Sequence, residues 1–155
     1  MLPEHRLKIV LVEPEIPQNT GNIARLCAAT GAALHLVRPL GFFLSDKHFK
    51  RAGMDYVGQV AITIHDDLAG LMAALGKEPF VLTSGLAGRP LWSAQLAANT
   101  WIMMGKESAG LPAELLAKYP ERTIQIPMRE GTRGLNVSTA AGIVVYEALR
   151  RNAGP

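Results

Sequence analysis

The sequence predicts an α/β fold, a mostly parallel sheet flanked by helices, on three observations. Short apolar, β-branched runs recur along its 155 residues. Segments of helical period separate them, and glycine or an acidic cap marks most changeovers. With 48% hydrophobic residues and a mean hydropathy of +0.14, the chain has the apolar content of a packed domain and not of a disordered one. One domain over residues 1–155 is expected.

The elements follow in order. LKIVLVE (7–13) is a buried strand, rich in β-branched residues. Residues 20–30 read as a helix, with Ile23, Leu26, Cys27 and Thr30 on one face and Gly31 just past its end. ALHLV (33–37) is the second strand; a loop, LGFFLS, and a basic helical segment, DKHFKRAG (46–53), come next. VAITIH (60–65) is the third strand, and Asp66 or Asp67 caps a helix that runs through Leu75 to Gly76. PFVLTS (79–84) and TWIMMG (100–105) are strands, 113–118 is a short helix, and RTIQIP (122–127) is a further strand. A final helix over 137–150 carries an apolar stripe of Ala140, Ala141, Val144, Val145, Ala148 and Leu149.

Several classes of function are disfavoured. No apolar run approaches the roughly 18 residues of a membrane span, and MLPEHRLKIV lacks a signal-peptide layout. The single cysteine, Cys27, cannot close an internal disulfide, so a reducing, cytoplasmic setting away from membranes is expected. The net charge of +3 suits a polyanionic partner without demanding one. Lys47, His48, Lys50 and Arg51 crowd one short segment, and Arg129, Arg133, Arg150 and Arg151 lie late in the chain. Each group reads as solvated surface or as nucleic-acid contact. His5, His35, His48 and His65 are scattered without metal-ligand spacing, so they read as surface or core histidines and no metal is expected.

A parallel sheet binds ligands at the carboxyl ends of its strands, near a switch in strand order. Three loops qualify: PEIPQNTGN (14–22), GKESAGLP (105–112) and PMREGTRGLN (127–136). The first is neither a dinucleotide fingerprint nor a P-loop. Its polar residues, helix-start amides and Arg25 could hold a phosphate or a sugar hydroxyl, or could be a cap beside a surface arginine. Glycines in all three loops would let the backbone approach a ligand closely.

NTGNIAR, MMGKESAGLP and IPM…GLNVSTAAGIVVYEALR resemble the three motifs of the SPOUT methyltransferases, in order and across nearly the whole chain. EPEIPQNTGNIARLCAATGA, LVRPLGF and KRAGMDY are similar to the minimal members, the TrmL (YibK-like) tRNA 2'-O-methyltransferases. The resemblance implies a SPOUT fold with a C-terminal trefoil knot, no separate RNA-binding domain, a homodimer with its site near the subunit interface, and S-adenosyl-L-methionine as cofactor. It implies 2'-O-methylation of the wobble nucleotide, cytidine or modified uridine, of leucine tRNAs, through contact with the anticodon stem-loop and not with DNA. Methylation at another tRNA position or on rRNA, and RNA binding without catalysis, are the alternatives. An unrelated enzyme binding NAD or ATP is a more distant one.

Carried over by motif, the first-motif positions are Asn19, Gly21, Asn22 and Arg25. Arg25, Asn19, Glu107 and Ser138 are then the expected catalytic residues. Leu82, Thr83, Met104, Gly105, Glu107, Ile126, Met128, Gly134, Leu135 and Ser138 would contact the cofactor, many through backbone. Asn22, Lys47, Lys50, Arg51 and Asn136 would contact RNA. The chain departs from many relatives at Lys106, often proline, at Ala109, often arginine, and at Gly134, usually serine.

Overall fold

A computed structural model describes residues 1–154, with backbone alone for residues 53–57. The side chains of the GMDY part of KRAGMDY therefore lie outside the described residues. The elements are β1 (Lys8–Val12), α1 (Pro17–Thr30), β2 (Ala33–Val37), α2 (Lys47–Val57), β3 (Ile62–His65), α3 (Leu68–Leu75), β4 (Phe80–Thr83), β5 (Arg89–Pro90), β6 (Trp101–Met104), α4 (Ala113–Lys118), β7 (Thr123–Gln125) and α5 (Val137–Asn152). Seven strands form one sheet in the order β3-β2-β1-β6-β4-β7-β5, and every pairing is parallel. The sequence expectation of a parallel α/β sheet holds.

Period two explains how one sheet supports two cores. Ile9 and Leu11 of β1 join Leu34, Leu36, Ile102 and Met104 beneath α1 and α5. Val10 and Val12 join Val37, Leu82, Trp101 and Met103 beneath α3 and α4. Five of the six expected α5 stripe residues, Ala141, Val144, Val145, Ala148 and Leu149, are buried, and Ala140 is half-buried. Helix α2 packs chiefly on α1. Among the described residues no helix is long and apolar enough to cross a membrane.

The structure differs from the sequence reading at several places; strands β3, β4, β6 and β7, for example, are each two or three residues shorter than expected. Helix α1 begins at Pro17, so six of the nine residues of the expected loop PEIPQNTGN are helical and Gly21 lies inside the helix. Proline suits the first helical turn, because its missing N–H would have had no partner inside the helix. Helix α5 runs to Asn152 and sets Arg150 and Arg151 in its last turn, where cations meet the helix dipole favourably. Strand β5 was not expected, since two residues at a sheet edge carry no periodic signal. Two expected ends agree: Gly31 closes α1 at φ 85°, donating to the Cys27 carbonyl, and Asp67 caps α3 by accepting from the Gly70 amide at 2.7 Å.

Cys27 is buried, and burial pushes its thiol up to about 12, so it is an inert core residue. On the opposite face, His35 Nδ1 and His65 Nε2 are 2.8 Å apart and the His35 ring leans on Trp101. Burial, with like charge from His65 and Lys8, depresses the His35 imidazole from 6.5 to about 4. Between those values the unfolded chain takes up a proton that the folded chain refuses. Stability should therefore decline as pH falls from 6.5 towards 4 and show no His35 dependence above that window. Urea unfolding at pH 7 and pH 5 measures this. His35→Gln should flatten the difference, and parallel curves for parent and variant would contradict the assignment.

Candidate active site

Strand order reverses between β1 and β6. From β1 the chain lays β2 and β3 to one side, while β6 and β4 lie on the other. The carboxyl ends of β1 and β6 thus open a crevice of the kind that binds ligands in parallel sheets. A cleft of about 620 Å³ lies there. Residues 83–86, 104–111 and 134–137 line it with Ile126, Met128 and Thr132, together with Ile16, Asn19 and the first turn of α5.

Glu107 organises the crevice. Its Oε2 accepts from the Glu15 amide at 2.8 Å, and its Oε1 accepts from the Ile16 amide at 3.1 Å and from Asn19 Nδ2 at 3.2 Å. Ile16 is the residue that should cap α1, yet it has no side-chain oxygen to offer. The carboxylate of Glu107, delivered from the β6–α4 loop, instead receives the amides of Ile16 itself and of the residue before it, as the acid of a capping box receives the cap residue's amide. An anion at a helix N-terminus satisfies orphan amides and meets the positive end of the dipole. The network continues across Asn19, which is 6% exposed: its Oδ1 accepts from Asn136 Nδ2 at 2.9 Å. Asn136 Oδ1 in turn accepts from the Ser138 amide at 2.9 Å and from Ser138 Oγ at 2.6 Å, capping α5. One chain of bonds therefore ties the loops after β1, β6 and β7.

The second loop is closed on itself. The Gly110 amide donates to the Lys106 carbonyl at 2.8 Å, and a Cβ on Gly105 would stand 1.9 Å from the Gly110 carbonyl carbon. No side chain fits at Gly105. Gly110, at φ +71°, adopts the left-handed conformation that the turn requires. Nearby, the Glu15 carboxylate accepts from Ser108 Oγ at 2.7 Å and from the Ser108 amide at 3.0 Å. Those two bonds hold it below the usual carboxylate range.

Of the residues expected from sequence, Asn19, Thr83, Met104, Gly105, Glu107, Ile126, Met128, Gly134, Leu135 and Asn136 line one cleft. Ser138 stands behind Asn136 on α5, and Leu82 is buried inside β4. Asn22 and Arg25 are exposed on α1, and Lys47, Lys50 and Arg51 are exposed on α2; none of the five lines the cleft. Glu15, Lys106 and Ser108 belong to the site's surroundings and were missed. Their sequence signal is the acid in EPEIP ahead of a helix with no Ser, Thr, Asp or Asn at its cap position.

Glu107→Ala removes the acceptor for two backbone amides and the Asn19 amide. The expected loss of stability is about 1–2 kcal/mol, the scale of a lost cap with its hydrogen bonds. Urea denaturation measures it, and an unchanged midpoint would show that water replaces the carboxylate without cost.

The SpoU rRNA Methylase family profile matches residues 6–146. The tRNA (cytidine(34)-2'-O)-methyltransferase of Escherichia coli strain K12 is 45% identical over 152 residues, covering 96% of each chain. A solved structure concerned with the 2-OH methylation of C/U34 on tRNA superposes with a TM-score of 0.92 at 43% identity, covering 97% of this chain and 99% of the other. An AdoMet-bound rRNA methyltransferase from Sinorhizobium meliloti superposes at 0.83 with 25% identity, covering 97% of this chain and 59% of that one. The family profile spans nearly the whole chain, sheet and strand-end loops included, and the chain belongs to the SpoU rRNA methylase family.

Proposed function

We propose that the protein transfers a methyl group from S-adenosylmethionine to the ribose 2'-hydroxyl of the wobble nucleotide, cytidine or modified uridine 34, of leucine tRNAs. The observation that carries this reading is the cleft at the strand-order switch, where Asn19, Glu107 and Asn136 join three loops. The name of the E. coli relative supports the nucleotide. We also propose one SPOUT domain with a C-terminal trefoil knot, a cytoplasmic location and recognition of tRNA through the anticodon stem-loop.

The cleft suits the cofactor. Its volume of about 620 Å³ falls within the range of small-molecule sites, about 300–1,000 Å³. Met104, Ile126, Met128 and Leu135 offer apolar contact, while Gly105 and Gly134 bring bare peptide groups to its wall. Those six, with Leu82, Thr83 and Ser138, are the residues that would hold S-adenosylmethionine, which when bound supplies an activated methyl group.

The rest of the chemistry falls to this chain. A 2'-hydroxyl becomes nucleophilic as its proton departs, so charge develops on its oxygen. The Arg25 guanidinium stays protonated and cannot serve as a simple base. Its fork binds the neighbouring phosphate and stabilises the developing alkoxide. Asn19 and Glu107 fix the first turn of α1, and thereby the helix that carries Arg25. Ser138 fixes Asn136. Asn22, Asn136 and the basic residues Lys47, Lys50 and Arg51 supply RNA contact, the last three from a helix packed on α1.

Tritiated methyl transfer to total tRNA from a strain lacking the enzyme, followed by mapping, tests the reading. Label should appear on the ribose of nucleotide 34 of leucine tRNAs; label elsewhere would replace the substrate, and no label with intact cofactor binding would replace the activity. Arg25→Ala should lose about a hundredfold to a thousandfold in single-turnover rate, about 2.7–4 kcal/mol. Cofactor affinity should hardly change, and a near-normal rate at saturating tRNA would demote Arg25 to a binding role.

The reading also includes a homodimer. Ile16 and Leu135 at the cleft are each 42% exposed, and Tyr146 on α5 is 51% exposed, which leaves apolar surface uncovered. Sedimentation at micromolar concentration should give twice the 16.7 kDa chain mass. A species of single-chain mass would contradict it.

A further inference from the structure

The tip of the second loop owes its position to the first loop. Its neck closes internally, through Gly110 on the Lys106 carbonyl. At the tip, by contrast, Glu107 and Ser108 take their partners from residues 15–19. Glu15 is engaged at both ends: its amide donates to Glu107, and its carboxylate receives both donors of Ser108. A third loop backs it. The Gly41 amide donates to the Pro14 carbonyl at 2.8 Å, and a Cβ on Gly41 would stand 2.8 Å from Glu15 Cα. The Glu15 backbone therefore cannot retreat without displacing the β2–α2 connection.

We propose that Glu15 is a positioning residue for the cofactor loop: seated against Gly41, it clasps Ser108 and holds residues 105–110 in the conformation that binds the cofactor. This rests on the function proposed above. A carboxylate with two charge-assisted bonds to one residue fixes that residue in both distance and direction. Ser108 is exposed at the cleft edge, one residue beyond the three bonds of Glu107, and the clasp is what holds Ser108 itself. Order imposed before binding is order that the ligand need not impose. Glu15 also differs in kind from a core support: it is not buried among the sheet's apolar residues, so its loss should loosen the loop and leave the fold standing.

Four variants and two measurements test this. The first measurement is hydrogen exchange at the Ser108 amide without cofactor. Protection should fall in Glu15→Gln, whose one neutral acceptor oxygen replaces the two charged oxygens that Ser108 engages, and in Gly41→Ala, which pushes Glu15 from behind. The second is calorimetric binding of S-adenosylhomocysteine. Glu15→Gln and Ser108→Ala should each weaken it about tenfold, the scale of one charge-assisted hydrogen bond. The double variant should be no weaker than the weaker single one, and the thermal midpoint of Glu15→Gln should stay that of the parent. Unchanged Ser108 exchange in Glu15→Gln overturns the clasp. Unchanged affinity, or losses that add in the double variant, overturns its role in cofactor binding. If the parent itself fails to bind S-adenosylhomocysteine, the methyltransferase reading fails and with it the cofactor role, whereas the exchange result still decides the clasp.

Discussion

Helix α1 cannot complete its own first turn. Its cap position is an isoleucine, and the amides of Glu15 and Ile16 find their acceptor in Glu107, more than ninety residues later in the chain. Much of the site depends on that one carboxylate. It sets the start of the helix, orients Asn19, and through Asn19 reaches Asn136 and the cap of α5. The cost of withdrawing the charge from bulk water is offset by three donors and a helix dipole. A loop that would otherwise be free at the end of a sheet thus becomes a fixed wall of the cleft.

The scaffold needed for this is plain. A parallel strand buried on both faces wants apolar residues throughout, and β1 and β6 supply them from Ile9 to Val12 and from Trp101 to Met104. Their parallel pairing brings both carboxyl ends to the same edge of the sheet. The two loops that leave that edge have no choice but to meet. Polar side chains placed there face each other across a few ångströms, and the buried Asn19 amide is satisfied at both its oxygen and its nitrogen.

Much of this was legible in the residues, and the losses have physical causes. Strand β2 and helix α4 fell on their expected bounds because glycine and proline punctuate them and their apolar patterns are clean. The loops at the strand ends were legible from strand count alone, and ten expected residues meet in one cleft. The start of α1 was misjudged because PQNTGN looks like turn chemistry, with two asparagines and a glycine. Its helix is stabilised from outside, by a residue that no local pattern connects to it. Glu15 and Ser108 escaped for the same reason: a hydrogen bond between residues so far apart in sequence leaves no periodic trace.

The route of that capping bond has a consequence for the making of the protein. Synthesis runs from the amino terminus, so α1 is complete as sequence long before Glu107 exists. Until β6 has docked beside β1, the amides at the start of α1 must be served by water, and the first turn, with Pro17 through Asn19, has no lasting partner. Closing so long a loop carries an entropic cost that only the docked sheet can offset. The last part of α1 can settle early against the first strands, while its beginning must wait for the second half of the chain. A nascent or truncated chain would therefore hold a helix without holding a binding cleft, and ligand capture becomes a property that the ribosome delivers only with the closing strands.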